Sequence, residues 1–163
     1  MILREMLVED LDQVMEIEKD LFSVPWTKEG FLTFVLKDNA MFLVVEDKGE
    51  IIGYCGLLMV LDEGDITNVA IKRTRQKEGV GGFLMQSLIR LAGERGITTI
   101  HLEVRAGNSG AIRLYERSGF TRDGIRKGYY SDPVEDALLM TYRQNLICKA
   151  FKEQAAGCDQ ADQ

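Results

Sequence analysis

Apolar residues recur along this chain with two different periods, and the changes of period divide its first half into strands and helices. A short apolar segment at residues 2–6 predicts a strand, and apolar residues at helical spacing predict a helix over residues 8–22. Thr27 is a suitable N-cap for a second helix that runs to about Lys37. Two apolar runs on either side of the turn sequence at 47–50 then predict a β-hairpin.

Strands and helices continue to alternate through the second half of the chain. The elements predicted there are a strand over 64–71, an amphipathic helix over 82–95 that ends near Gly96, a buried strand over 98–104, a helix from Asn108 or Ser109 through Arg117, and a closing strand pair over 119–130 and 135–142. Because no repeat and no linker interrupts this order, we expect one α/β domain over residues 1–143. The polar segment 144–163 is predicted to be a partly disordered C-terminal extension.

The composition narrows the class of protein. The chain has 163 residues, of which 45% are hydrophobic and 28% charged, as in ordinary soluble domains. No apolar run approaches the roughly 20 residues of a membrane span, and acidic residues come too early for a signal peptide. A net charge of −6 argues against nucleic acid as a partner. Three cysteines without a C-x-x-C pair and a single histidine indicate a reducing cytoplasm and no metal site.

A glycine-rich segment between a predicted strand and a predicted helix is the clearest chemical signal. Four basic residues lead directly into three glycines: Lys72, Arg73, Arg75, Lys77, Gly79, Gly81 and Gly82. The first N–H groups of a helix have no intrahelical partner, and glycine lets a ligand approach the backbone, so this turn predicts an anion site. A P-loop is excluded because Gly82-Phe83 follows Gly81, and a dinucleotide fingerprint is excluded because Leu84 stands where a glycine is required. For the basic residues alone, a solvated turn is the alternative.

The connection between two strands indicates where a ligand would lie. The strand that ends near Ile71 and the strand that ends near Val104 are joined by the helix after the glycines, and such a crossover makes them parallel. Ligands bind at the carboxyl edge of parallel strands. The glycine turn, Glu103 and the start of the next helix are therefore predicted to converge on one edge of the sheet.

The spacing Gln76-x-x-Gly79-x-Gly81 is the Q/R-x-x-G-x-G/A pattern of the GNAT superfamily of N-acetyltransferases, and the order of elements is similar to the whole GNAT fold. The resemblance implies a mixed, mostly antiparallel central sheet with one parallel strand pair and about four flanking helices. It also implies that the loop holds the pyrophosphate of acetyl coenzyme A through backbone N–H groups, without a metal. The residues in this expectation are Lys77, Glu78, Gly79, Val80, Gly81 and Gly82.

Further segments resemble the RimI-type enzymes, which are bacterial acetyltransferases that act on the N-terminal alanine of a ribosomal protein. The matching stretches are "PWT" at 25–27, "LDE" at 61–63, "NVAI" at 68–71, "HLEVRAGNSGAIRLYERSGF" at 101–120 and "GYYSDPVEDALLM" at 128–140. The resemblance spans roughly residues 1–143. It implies that the partners are acetyl coenzyme A and the N-terminal peptide of a protein substrate, and it places Tyr129 and Tyr130 at the peptide cleft.

The functional residues of this family carry over one by one. Glu103 matches the general base, Tyr115 the general acid and Asn108 a coenzyme ligand. The strand of Val69, Ala70 and Ile71 matches the family's strand whose free backbone groups pair with the pantetheine arm. Asn108 and Tyr115 lie seven positions apart, which places them on one face of a helix.

Each of these residues also has an ordinary structural interpretation. Glu103 could face solvent from an alternating strand, Asn108 could serve only as a helix N-cap, and Tyr115 could be a core tyrosine with a satisfied hydroxyl. The glycine-rich loop also departs from the family's usual sequence at one point. Glu78 places a carboxylate beside the expected pyrophosphate.

The implied reaction is direct attack of a neutral amine on the thioester. Deprotonation at pH 7 costs about 1 kcal/mol for an α-amine but about 4.6 kcal/mol for lysine, which favours N-terminal amines. Two alternatives remain. One is a GNAT enzyme that acetylates lysine side chains or small amines, and the other is a non-catalytic acyl-CoA-binding regulator, which would need neither Glu103 nor Tyr115.

Overall fold

The computed structural model describes residues 1–145, so the predicted C-terminal extension lies outside the described residues apart from its first two positions. Within residues 1–145 the chain forms seven strands and four α-helices. The strands are β1 (Ile2–Glu5), β2 (Ala40–Asp47), β3 (Glu50–Val60), β4 (Glu63–Ile71), β5 (Thr99–Arg105), β6 (Thr121–Tyr130) and β7 (Glu135–Arg143). The helices are α1 (Leu11–Leu21), α2 (Lys28–Val35), α3 (Val80–Glu94) and α4 (Ser109–Arg117), and short 3₁₀ turns span Val8–Asp10 and Arg73–Arg75.

All seven strands belong to one sheet in the order β1-β2-β3-β4-β5-β7-β6. Every neighbouring pair is antiparallel except β4 and β5, which are parallel. The crossover through α3 therefore makes β4 and β5 parallel, as predicted. The expected α/β architecture with one parallel strand pair is confirmed.

Helices cover both faces of the sheet because each helix has an apolar stripe to bury. One apolar cluster contains α1, α2 and the residues of β2 and β3 that face them. A larger cluster lies on the opposite face, between the sheet and α3 with α4. We call these the α1 face and the α3 face of the sheet.

The predicted helix boundaries hold at some ends and fail at others. Thr27 caps α2 as predicted, since its hydroxyl oxygen accepts a hydrogen bond from the Gly30 N–H at 3.0 Å. The prediction that α3 begins at residue 82 was wrong: it begins at Val80, and Gly79 is its N-cap, with a φ of 82°. That left-handed conformation suits glycine, which allows the helix to start immediately afterwards.

A bulge in β4 sets which side chains face which cluster. The pairing of β3 with β4 matches Gly56 to Asn68 and Leu57 to Ile66, so Thr67 has no partner. The extra residue reverses which face of the sheet each side chain of β4 points to beyond the bulge. As a result Asn68 and Ala70 point to the α1 face, whereas Val69 packs against the cluster on the α3 face.

The parallel pairing of β4 and β5 is short. It joins Glu63–Asp65 to Thr99–His101 and stops there, so the carboxyl halves of the two strands are not paired with each other. On its other side each strand keeps an antiparallel neighbour, β3 for β4 and β7 for β5. The sheet therefore opens in its middle, at the edge where the sequence predicts a ligand.

None of the helices within residues 1–145 is long and apolar enough to cross a bilayer.

Two glycines provide a test of this packing. A Cβ at Gly56 would overlap the Phe42 ring and the Thr67 hydroxyl on the α1 face, whereas a Cβ at Gly110 in α4 would meet nothing within 4 Å. We expect Gly56→Ala to lower the free energy of unfolding by about 1–3 kcal/mol through overpacking. Gly110→Ala should raise it by roughly 0.5 kcal/mol because alanine is the better helix former. Urea unfolding of both variants measures the difference, and equal stabilities would contradict the packing beside the bulge.

Candidate active site

A cavity of about 590 Å³ occupies the opening between β4 and β5. Several residues singled out in the sequence line it together: Val69, Glu103, Asn108, Tyr115, Tyr129 and Tyr130. Its remaining wall comes from the end of α1 and the segment between α1 and α2, from residues 66–68 of β4, from the neighbours of Glu103 in β5, from Ala111 of α4 and from the loop between β6 and β7. The glycine turn is not part of this lining and stands next to it, at the end of β4.

Glu103 reaches the cavity because β5 alternates. Its neighbours Leu102 and Val104 are buried in the cluster on the α3 face, so the Glu103 side chain points toward the α1 face. It is exposed there and lines the cavity. A solvent-accessible carboxylate at this position can accept a proton directly or through a water molecule.

Tyr115 approaches the same cavity from the other face of the sheet. It lies on α4, is only 7% exposed, and its ring packs against Phe120 at a centroid distance of 5.9 Å. Burial raises the pKa of Tyr115 well above its usual value, with smaller contributions from Tyr130 and Cys55. The phenol therefore keeps its proton across neutral pH and can act as a donor.

Asn108 has the structural role that its residue type favours. Its side-chain oxygen accepts a hydrogen bond from the Ala111 N–H at 3.2 Å and caps α4. The cap uses the oxygen and leaves the amide N–H₂ group of Asn108 at the cavity wall. The N-cap interpretation is thus confirmed and is compatible with a second contact to a ligand.

The glycine turn presents free backbone donors at the start of α3. The first intrahelical bond runs from the Phe83 N–H to the Gly79 carbonyl at 3.1 Å, so the N–H groups of Val80, Gly81 and Gly82 precede the helical ladder. The two glycines in the first turn differ in their surroundings. A Cβ at Gly81 would lie 3.0 Å from Leu114 of α4, whereas a Cβ at Gly82 would meet nothing within 4 Å. Gly81 therefore permits helix packing, whereas a side chain at Gly82 would have open space around it.

Most of the basic side chains before the glycines have carboxylate partners within the protein. Lys72 pairs with Glu50, and Arg73 with Asp20 at 3.2 Å. Arg75 lies between two carboxylates, at 2.9 Å from Asp47 and 2.8 Å from Glu78. Ion pairing within the protein therefore accounts for three of the four cations, and within residues 1–145 Lys77 alone of the four has no ion pair. The pair with Arg75 also offsets the negative charge that Glu78 brings to this turn.

The side chain of Gln76 closes the end of β4. Its Nε2 donates to the Ile71 carbonyl at 3.1 Å. This contact gives the glutamine of the six-residue pattern a structural role, because it ties the turn to the strand. It also occupies one of the backbone groups that the sequence assigned to a ligand.

Arg105 organises the loop that borders the cavity between β6 and β7. Its guanidinium donates to the carbonyls of Ser131 and Pro133, each at 2.9 Å, and lies over the Tyr130 ring at 4.6 Å from its centroid. Burial raises the pKa of Tyr130 to about 12, and the nearby Glu103 adds to the shift. The sequence did not reveal Arg105, because its partners lie 26 and 28 residues away along the chain.

A buried carboxylate on the α1 face is the other feature that the sequence analysis missed. Glu18 of α1 is 1% exposed and lines the cavity. Burial raises its pKa, although hydrogen bonds from the Trp26 N–H, the Tyr54 hydroxyl and the Asn68 side chain work in the opposite direction. A signal was present, since Glu18 falls at helical spacing with the buried Leu11 and Val14 of α1. A charge on an apolar stripe is unusual and indicates a specific role.

Within the described residues there is no group of three histidine, cysteine, aspartate or glutamate side chains that could hold a metal ion.

Comparison with known proteins identifies the family. The profile of the Acetyltransferase (GNAT) family matches residues 11–120. A Bacillus subtilis (strain 168) protein, assigned provisionally by its name as a [ribosomal protein bS18]-alanine N-acetyltransferase, is 43% identical over 138 residues, covering 84% of this chain and 91% of its own. The [ribosomal protein bS18]-alanine N-acetyltransferase of Escherichia coli (strain K12) is 35% identical over 133 residues, covering 80% and 89%.

Solved structures agree with this assignment. The crystal structure of the ribosomal-protein-S18-alanine N-acetyltransferase from Escherichia coli superposes with a TM-score of 0.81 at 31% identity, covering 87% of this chain and 92% of the other. The PaiA N-acetyltransferase from Thermoplasma acidophilum, solved in complex with coenzyme A, shares the fold with a TM-score of 0.74 at 17% identity, covering 87% and 98%. The chain therefore belongs to the acetyltransferase (GNAT) family and is an N-acetyltransferase that uses acetyl coenzyme A.

Proposed function

We propose that this enzyme transfers an acetyl group to the N-terminal α-amine of a ribosomal protein whose first residue is alanine. The names of the relatives from Bacillus subtilis and Escherichia coli support this substrate. The observation that carries the chemistry is the cavity between β4 and β5, which has an accessible carboxylate, Glu103, on the α1 face and a buried phenol, Tyr115, on the α3 face.

The coenzyme would bind along β4 and across the start of α3. The edge of β4 beyond Asp65 has no strand beside it, so backbone groups of Val69, Ala70 and Ile71 are candidates to pair with the pantetheine arm. The Ile71 carbonyl already accepts from Gln76, and the register with β3 directs the backbone groups of Ala70 to Tyr54. The Ile71 N–H and the backbone groups of Val69 therefore remain for the coenzyme. Asn108 would contribute its amide N–H₂ group from the N-terminus of α4.

The pyrophosphate would lie against the glycine turn. The N–H groups at the start of α3 favour an anion, and the open space at Gly82 admits one. The backbone of residues 77–82, from Lys77 and Glu78 through Gly79, Val80, Gly81 and Gly82, forms this part of the site. Lys77 is the side chain within the turn that remains available for a phosphate.

In the reaction, the amine nitrogen attacks the thioester carbonyl carbon, a C–N bond forms and the C–S bond breaks. Glu103 takes the proton that the amine loses, directly or through water, and Tyr115 gives its proton to the departing sulfur. An unperturbed thiol has a pKa of about 8.5 and tyrosine about 10, but the apolar surroundings that raise the pKa of Tyr115 also disfavour a free thiolate. The buried thiol Cys55 takes no part as an acetyl carrier, because burial raises its pKa and keeps it protonated.

The preference for an α-amine follows from the site's charge. Glu103 is one accessible carboxylate, which suits the small deprotonation cost of an α-amine better than the larger cost of lysine. A lysine acceptor would need strong desolvation of its ammonium group, and the mouth of this cavity is open to solvent at Glu103.

Coenzyme binding at the glycine turn can be tested at Gly82. Gly82→Asp places a carboxylate in front of the free N–H groups, and we expect acetyl coenzyme A to bind at least tenfold more weakly, about 1.4 kcal/mol. Thermal stability should not fall, since an acidic residue in the first turn favours the helix. Gly82→Ala is the matched control and should bind acetyl coenzyme A with unchanged affinity. Calorimetry that finds unchanged affinity in folded Gly82→Asp would remove this turn from the binding site.

Substrate choice can be tested with peptides. A peptide that begins with a free alanine should be acetylated at its α-amine, and the same peptide with a blocked N-terminus should give no product even when it contains lysines. Mass spectrometry of the products locates the acetyl group. Acetylation found mainly on lysine side chains, or turnover with free polyamines but not with the peptide, would replace the proposed substrate.

The two catalytic roles can be separated by mutation. Glu103→Gln keeps the shape but cannot take a proton, and turnover should fall roughly 10²–10⁴-fold. Tyr115→Phe should lower the rate constant without weakening coenzyme binding, because the thiolate exists only as the thioester breaks. An acyl donor with a more acidic thiol should partly restore the turnover of Tyr115→Phe and should restore less of the turnover of Glu103→Gln. If Tyr115→Phe instead weakens coenzyme binding and leaves saturated turnover unchanged, Tyr115 is a packing residue.

A further inference from the structure

The buried carboxylate of Glu18 joins three separate parts of the cavity wall. Its Oε1 accepts from the Trp26 N–H at 2.9 Å, and its Oε2 accepts from the hydroxyl of Tyr54. The side chain of Asn68 donates to the same carboxylate. These partners belong to the segment between α1 and α2, to β3 and to β4.

A carboxylate is an unusual side chain for this place. Glu18 is surrounded by the apolar residues of the α1 face, and within residues 1–145 it forms no ion pair with a lysine or an arginine. An apolar side chain here would leave the Trp26 N–H and the Tyr54 hydroxyl without their acceptor, which is costly for buried groups. A charge held by three donors therefore indicates that the position of those donors matters.

One wall that Glu18 holds is the segment between α1 and α2. Phe22, Ser23, Val24 and Trp26 line the cavity. The Trp26 ring packs against Phe31 at 5.0 Å and Phe34 at 5.1 Å between centroids. Glu18 also accepts a hydrogen bond from the backbone N–H of Trp26. The segment between α1 and α2 is therefore held both by the ring and by the N–H group of Trp26.

A second wall is the edge of β4 just beyond the bulge. Asn68 follows the unpaired Thr67 and is 8% exposed, and its side chain faces α1 only because the bulge reverses the alternation. The contact with Glu18 gives the nitrogen of this buried amide a partner, whereas its Oδ1 accepts no hydrogen bond within residues 1–145. It thereby fixes the strand edge along which the thioester would lie.

We propose that Glu18 is a positioning residue that sets the width of the acceptor half of the cavity and thereby selects the first residue of the substrate. The inference rests on the proposed function. The attacking amine must lie near both Glu103 and the β4 edge, so the side chain of the same residue faces the wall of residues 22–26. A wall held at a fixed distance admits a small side chain such as alanine and excludes a large one.

The test compares two peptides that differ only in a first residue of alanine or leucine. A single methylene in an apolar pocket changes kcat/KM by about 10–200-fold, and leucine is larger than alanine by more than one methylene. Glu18→Met has a similar volume and removes all three hydrogen bonds, so the ratio of kcat/KM for the two peptides should fall by at least about tenfold. Glu18→Gln can still accept from the Trp26 N–H and, with the Asn68 amide turned, bond to Asn68. The ratio for Glu18→Gln should therefore stay within about twofold of the ratio for the unmutated enzyme.

The ratio is independent of the fraction of folded enzyme, so a variant that only lowers this fraction leaves the ratio unchanged. Glu16→Met, an exposed position on the same helix, is the matched control and should retain the ratio. Asn68→Ala removes only the tie to β4 and should lower the ratio as well, which provides a second variant if Glu18→Met does not fold.

Three results would overturn this proposal. The first is an unchanged ratio in both Glu18→Met and Asn68→Ala. The second is an equal loss in Glu18→Gln and Glu18→Met, which would mean that the charge itself acts on the acceptor. The third is an unmutated enzyme that acetylates both peptides equally well. Failure of the unmutated enzyme to acetylate the alanine peptide at all would instead contradict the proposed substrate.

Discussion

The structure depends on the early end of the pairing between β4 and β5. These strands share hydrogen bonds only from Glu63–Asp65 to Thr99–His101, and beyond that point each keeps a partner on one side alone. Backbone groups left without a partner are costly when they are buried, so an opening in the middle of a sheet needs either water or a ligand with amides of its own. The cavity, the site of Glu103 and the approach of Tyr115 from the other face all follow from this opening.

Burial is the second physical cause that connects the residues of the cavity. It raises the pKa of Tyr115, of Tyr130 and of Glu18, although these groups lie on different elements. Glu103 differs from them because it is exposed, which suits a group that exchanges protons with water. The site thus contains proton-bearing phenols in an apolar environment beside one carboxylate that solvent can reach.

The parts of the fold that local patterns specify could be predicted from the sequence. Helical spacing located α1, the residue type of Thr27 located the start of α2, and the crossover rule made β4 and β5 parallel. The start of α3 was misplaced because glycines usually lie outside helices, whereas Gly81 and Gly82 form its first turn. The role of Gly81 as a packing contact for Leu114 depends on α4, which lies far along the chain.

The network around Glu18 and the clamp formed by Arg105 could not be predicted for the same reason. Each joins residues that come together only after the sheet has formed. The residues carried over from the family could be placed on the right elements, and Glu103, Asn108 and Tyr115 do line one cavity. Periodicity could not show that Asn68 faces α1, because a bulge of one residue reverses every side chain after it.

The two outer edges of the sheet are built so that strands of other molecules do not add to them. At one end β1 is only four residues long. At the other end β6 is exposed along most of its length, carries Arg122, Asp123, Arg126 and Lys127, and pairs with β7 through two register shifts. A foreign strand would have to bury these charges and follow an irregular backbone, which is unfavourable. Among the described strands, the opening between the inner edges of β4 and β5 is therefore the place where an extended amide-containing chain can bind most favourably.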